Sequence, residues 1–158
     1  MYKQVIVVNR SLNMSHGKMA AMVAHGSMAF LTKWFRENVT PGNGTFDAYS
    51  IRPTAKIDYK LFSFWLNGSF TKIILEADES QMEQIVKDAY EYGLISNQDY
   101  FNIVDDTTEF LGIPKWAAIA FLPMDSSIID NITGKLHLYG YAQKEENDRN
   151  NNNGDDER

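Results

Sequence analysis

Residues 3–27, KQVIVVNRSLNMSHGKMAAMVAHGS, decide how the rest of the chain is read. Residues 3–9, KQVIVVN, form a short apolar, β-branched run that reads as a buried strand. A polar turn follows, and Ser15 then supplies a helix N-cap, its side-chain oxygen able to accept from the amide of the third helical residue. The helical pattern runs from Ser15 to about Asn38 and stops at Thr40-Pro41-Gly42-Asn43-Gly44. Met19, Val23, Phe30 and Trp34 fall on one side of it at helical spacing, which predicts that this side packs on a sheet. A strand running straight into a long amphipathic helix is the opening unit of an α/β domain.

Working outward, the same alternation recurs. Phe70 to Ala77 reads as a second strand, and Asp78 with Gln81 has the form of a capping box opening a helix that Gly93 ends. Its buried stripe is Met82, Ile85, Val86 and Ala89. YFNIVDD (100–106) is a third strand and KWAAIAFLP (115–123) a fourth, bounded by Pro114 and Pro123. A short helix over Ser126–Thr133 stops at Gly134, and KLHLYGY (135–141) is an extended closing segment. Helices are expected on both faces of a mixed, mainly parallel sheet. The link between the third and fourth strands is too short for a crossover helix, so these two should pair antiparallel. Residues 39–57 read as irregular, and the aromatic stretch YKLFSFWLNGS (59–69) as a helical turn or an edge element, packed more readily in the core than at an exposed interface.

Composition narrows the function. With 158 residues, 44% of them hydrophobic, one domain can bury a sizeable core. No cysteine is present, which excludes disulfides, thiolate metal sites and a cysteine nucleophile. His16, His25 and His137 have no metal-ligand spacing. No apolar run approaches a membrane span and no leader pattern opens the chain, so a cytoplasmic protein with no membrane partner is expected. The formal net charge is −6, of which −3 belongs to residues 143–158, QKEENDRNNNNGDDER, a polar tail expected to be disordered. Residues 1–142 would then be the folded domain, with 39–66 as an insertion, and they are only mildly acidic, which leaves room for a local basic face.

Two places can carry chemistry. Lys18 stands third in the helix, where a capping box would place Glu or Gln and where the helix macrodipole disfavours a cation by roughly 0.3–1 kcal/mol. A lysine there reinforces the positive helix end, which suits an anion or a developing oxyanion. Gly17 beside it would let a ligand approach the backbone closely. Lys18, Met22 and His25 share a helix face, separate from the apolar stripe, that Ala29, Lys33 and Arg36 continue as a shallow basic track. The second place is Asp105-Asp106-Thr107-Thr108, at a strand's carboxyl end, where α/β sheets collect ligands. There an aspartate could serve as general base toward water, with a threonine hydroxyl holding that water.

Three segments together resemble the second, archaeal and eukaryotic-type class of peptidyl-tRNA hydrolases: residues 3–27, IVDDTTEF (103–110), and PMDSSIIDNITGKLHLY (123–139), with WLNGSFTKIIL (65–75) approaching its strand as in that class. The resemblance implies a three-layer α/β/α domain around a four-stranded sheet. It also implies hydrolysis of the ester that joins a peptide to the 3′ end of tRNA, with neither metal nor organic cofactor. It assigns catalysis to Lys18, Asp105 and Thr108; Gly17, His25, Lys33, Arg36 and Asp106, read from the residues themselves, are then expected toward the substrate. Lys18 would stabilise the oxyanion or the terminal ribose-phosphate, and Asp105 and Thr108 would orient and activate water. tRNA is the implied partner, and a homodimer is compatible with it.

The chain departs from the class at several positions. Met22 stands where the class has Gln, and Lys115-Trp116-Ala117 replaces a Thr-x-Thr-like pair. The stretch after the strand is one residue shorter, which leaves Asp105 or Asp106 for the aspartate role. Gly134-Lys135-Leu136-His137-Leu138 exchanges the two basic residues of the class's ending. The other reading is therefore a catalytically impaired relative that binds tRNA or a protein.

Overall fold

The computed structural model describes residues 1–41, 49–106 and 110–141. The apolar run forms β1 (Tyr2–Asn9), and a 3-10 turn over Arg10–Leu12 leads into α1 (His16–Asn38). A two-stranded ribbon of β2 (Val39–Pro41) and β3 (Tyr49–Ile51) comes next, followed by a helical segment, Leu61–Ser69, with π-type hydrogen bonding and a break at Gly68. The remaining elements are β4 (Lys72–Ala77), α2 (Glu79–Glu91), β5 (Tyr100–Asp105), β6 (Lys115–Phe121), β7 (Met124–Asp125), α3 (Ser126–Thr133) and β8 (His137–Leu138).

The main sheet has the order β5-β6-β1-β4-β8, and β7 pairs the start of β1. The expectation of four strands, mainly parallel, is corrected in both respects. The sheet has six strands, and β1–β4 is its single parallel pair, with β1–β6, β5–β6, β4–β8 and β1–β7 antiparallel. The cause is the place of β6. β1, β4 and β5 point the same way, but β6 lies reversed between β1 and β5 and so makes two antiparallel ladders. The closing segment adds β8, and β7 resumes pairing with β1 beyond Pro123, which has no N–H to give a ladder.

Side-chain alternation sends each central strand to both faces. Val5 and Val7 of β1, with Ile119 and Phe121 of β6, pack against Met82, Ile85 and Ala89 of α2 and Ile129 and Ile132 of α3. On the other face, Ile6 and Val8 with Ala117, Ala118 and Ala120 lie under α1, which contributes Met22 and Val23. The three layers of the α/β/α expectation are therefore present. α1 sits close because small residues face one another: a Cβ added at Gly26 would lie 2.9 Å from the Cβ of Ala120. Buried Gln4 locks the approach, donating Nε2 to the Ser27 carbonyl at 3.2 Å and accepting from Ser27 Oγ at 3.3 Å.

Helix ends follow their local chemistry. Asp78 and Gln81 form the predicted capping box, with both hydrogen bonds at 2.9 Å. Asp125 caps α3 through the Ser127 amide, and with help from the Ser127 hydroxyl and the chain's amino terminus this lowers its carboxyl pKa to about 2.

Residues 49–66 gather at the end of α1 remote from its N-terminus. Trp34 donates Nε1 to the Lys56 carbonyl at 2.7 Å, and Leu61 and Trp65 pack with Phe30 of α1. Within the aromatic stretch Leu61 and Trp65 are buried, as core packing requires, while Tyr59, Phe62 and Phe64 are exposed. Residues 143–158 lie outside the described residues.

Candidate active site

The site is assembled at the carboxyl ends of β1 and β5, where the N-terminus of α1 also lies. Asn9 ends β1 fully buried; its Nδ2 donates to the Trp116 carbonyl at 2.9 Å and its Oδ1 accepts from the Ser11 amide at 3.0 Å. This ties β1 to β6 and turns the chain toward α1. Ser15 then caps the helix as predicted, its Oγ accepting from the Lys18 amide at 3.3 Å.

From this first turn the Lys18 side chain reaches across to β5, and its Nζ lies 2.5 Å from Asp105 Oδ1. The two side chains are 11% and 1% exposed, so the ion pair is largely withdrawn from water. Residues distant in sequence are thus brought together, a strand-end carboxylate and a helix-N-terminal ammonium. Asp106 is exposed, so of the two aspartates it is Asp105 that meets Lys18. Thr108 lies outside the described residues. Gly17 is exposed, and a Cβ built on it meets nothing within 4 Å, so the fold does not demand glycine there.

The helix face shared with Lys18 divides in two. Met22 is not on an exposed track; it is 3% exposed and belongs to the apolar cluster of Val8, Met14 and Ala117. The cause is rotational, since position 22 lies between Lys18 and Gly26, the point of closest contact with the sheet. Two of the residues that depart from the resembled class, Met22 and Ala117, therefore share one apolar cluster beside the ion pair. The other members of that face, His25, Lys33 and Arg36, line a groove of about 750 Å³ between α1 and β5, with Glu37, Asn97 and Asn102. Lys33 is held by Glu37 one turn on, at 2.6 Å.

Asn9 and Glu76 were not singled out in the sequence. Glu76, next to last in β4, is nearly buried and accepts from the Gly140 amide at 3.0 Å, fixing the segment after β8. The available signal was a polar residue at the end of an apolar strand run, since burying such a group is unfavourable without a hydrogen bond.

Chemically, a carboxylate that can accept a proton stands against a cation at a positive helix end. That arrangement can deprotonate water and stabilise the oxyanion formed when the water adds to a carbonyl. Among the described residues, no group of three or more His, Cys, Asp or Glu side chains could hold a metal ion. Residues 2–139, spanning both halves of this site, match the family described as peptidyl-tRNA hydrolase PTH2.

The chain belongs to that family.

Three archaeal peptidyl-tRNA hydrolases are similar to it. The protein of Nanoarchaeum equitans is 30% identical, covering 88% of this chain and all of its own length. That of Thermococcus sibiricus is 28% identical over 87% of this chain and 97% of its own. That of Aeropyrum pernix is 26% identical over 87% and 96%. The family resemblance of the sequence is therefore borne out, with the match spanning residues 2–139.

Proposed function

We propose that this protein hydrolyses the ester of peptidyl-tRNA, releasing the peptide and a tRNA with a free 3′-terminal ribose hydroxyl. The observation that carries the reading is the sequestered Lys18–Asp105 pair at the N-terminus of α1, in a chain that matches its family from end to end of the domain. Asp105 takes a proton from water as the water oxygen bonds to the ester carbonyl. Lys18 and the positive end of α1 stabilise the resulting oxyanion. When the carbonyl re-forms, the ribose oxygen leaves and takes up the proton. Thr108 is proposed to position the water, Gly17 to let the ester approach the backbone, and Asp106 to face the substrate. His25, Lys33 and Arg36 would receive the phosphates of the acceptor end.

A cytoplasmic site of action is proposed with this substrate; no helix among the described residues is long and apolar enough to cross a membrane. A homodimer is compatible with this scheme and is not required by it.

The test is release of an N-blocked peptide from tRNA by the purified protein. Lys18→Gln keeps a donor for Asp105 but removes the charge, and it should slow turnover by about 10²–10³-fold, the usual effect of losing one oxyanion-stabilising group. No release by the wild type at stoichiometric enzyme would exclude the reading.

Met22 and Ala117 favour a second reading, an impaired relative that binds without turnover. They make the floor beside the ion pair apolar where the resembled class has an amide and a hydroxyl. Tight tRNA binding with no peptide release would identify that case.

A further inference from the structure

α1 shares its face of the sheet with the helical segment Leu61–Ser69, which packs at its far end, and it leaves a groove along each flank. The two grooves differ in chemistry. The one toward β5 carries His25, Lys33 and Arg36. The other, about 630 Å³, lies between α1 and β4–β8 and is walled by Met19, Val23, Ile74, Leu138 and Tyr139, with Ala20 on its helix side. Lys72 is the one charged residue lining it, and that ammonium is engaged over the Phe70 ring at 3.2 Å from the centroid. The groove begins at the head of α1, on the flank away from Asp105: Met19 and Ala20 follow Lys18 in the helix, and Tyr139 packs with the Met14–Met22 cluster.

We infer that this second groove binds the peptide moiety of the substrate. The inference rests on the hydrolase reading and extends it to the other half of the molecule cleaved. A peptidyl-tRNA presents a polyanion on one side of its ester and a polypeptide on the other. An enzyme whose reacting pair sits at the head of α1 meets both at once. A phosphate chain has no partner among Met19, Val23, Ile74 and Leu138, whereas apolar side chains do.

The sheet offers a second means of recognition there. β8 pairs only Leu75 and Glu76 of β4, and the Tyr139 amide adds one bond to the Ile74 carbonyl at 3.0 Å. Among the described residues, outer-edge pairing of β4 stops at that point. An extended peptide entering the groove can continue the ladder through its own main chain, which recognises any sequence. The apolar walls then add a preference for length and hydrophobicity.

The experiment compares two substrates on one tRNA, an N-acetyl-aminoacyl ester and an ester of an N-blocked apolar hexapeptide with the same ester-linked residue. In the wild type, kcat/KM for the hexapeptidyl substrate should exceed that for the short one by about tenfold, the order expected from burying one additional large apolar side chain. Ala20→Trp, which fills the groove from an exposed helix position, and Leu138→Ser, which strips its wall, should each bring the ratio toward one. A ratio near one in the wild type, or a ratio unchanged in both variants, overturns the groove assignment while leaving the hydrolase reading intact. Hydrolysis of neither substrate removes the hydrolase reading itself, and the inference with it. Sedimentation closes the remaining route: a wild-type dimer that both substitutions dissociate would mean a second copy covers this face, and the assignment would fall.

Discussion

Lys18 owes its position to three separate residues: Ser15 holds the turn, Asp105 receives the ammonium, and Gly26 sets how near the helix lies. Removing one member of a buried ion pair strands the other, at a cost of about 3–5 kcal/mol, which is why a neutral donor is the better probe of Lys18 than an alanine. Beside that pair, Met22 and Ala117 make a dry contact surface, and their effects should be coupled. Met22→Gln alone buries an amide among Val8 and Met14, and chemical denaturation should show a loss of about 1–3 kcal/mol. Adding Ala117→Thr supplies a hydroxyl in the same cluster, so the double variant should recover part of that loss. Strict additivity in the double-mutant cycle would show that the two side chains do not meet.

At the scale of elements, the contact of α1 with the sheet governs the site. Gly26 faces Ala120 so closely that a methyl group at position 26 must push helix and strand apart. Gly26→Ala should therefore destabilise the protein by about 1–3 kcal/mol in thermal or chemical unfolding, although alanine is the better helix former. It should also lower turnover, because Lys18 stands on the displaced helix and Asp105 on β5, the neighbour of β6 in the sheet it is pushed from. Unchanged stability would show that the interface yields without strain. The helix itself was legible from its N-cap, its stop signal and its apolar stripe, and so was the capping box of α2. The membership of the stripe was less legible. Met19, Val23 and Trp34 are only half-buried and Met22 is fully buried, since the stripe's centre is set by Gly26, a residue that hydrophobicity does not mark.

The whole molecule carries a formal charge of −6, yet the reading asks it to bind a polyanion. The cations available on the β5 side of α1 are few, and Lys33 is shared with Glu37. Binding of tRNA should therefore depend only moderately on salt, with a log–log slope on the order of −2. Replacing Lys33 and Arg36 together should flatten it toward zero. A much steeper slope that survives the double substitution would place the phosphates elsewhere on the surface. The sequence by itself determined the alternation of strands and helices, the three layers, the capped helix with an unexpected lysine in its first turn, and the family. Local chemistry and periodicity carry all of these. Only the tertiary structure decided that β6 lies between β1 and β5, which makes the sheet mainly antiparallel. It also decided that Asp105 and not Asp106 meets Lys18, and that Met22 faces inward. Strand order and helix rotation are settled by how whole elements pack, and no local stretch of residues contains that information.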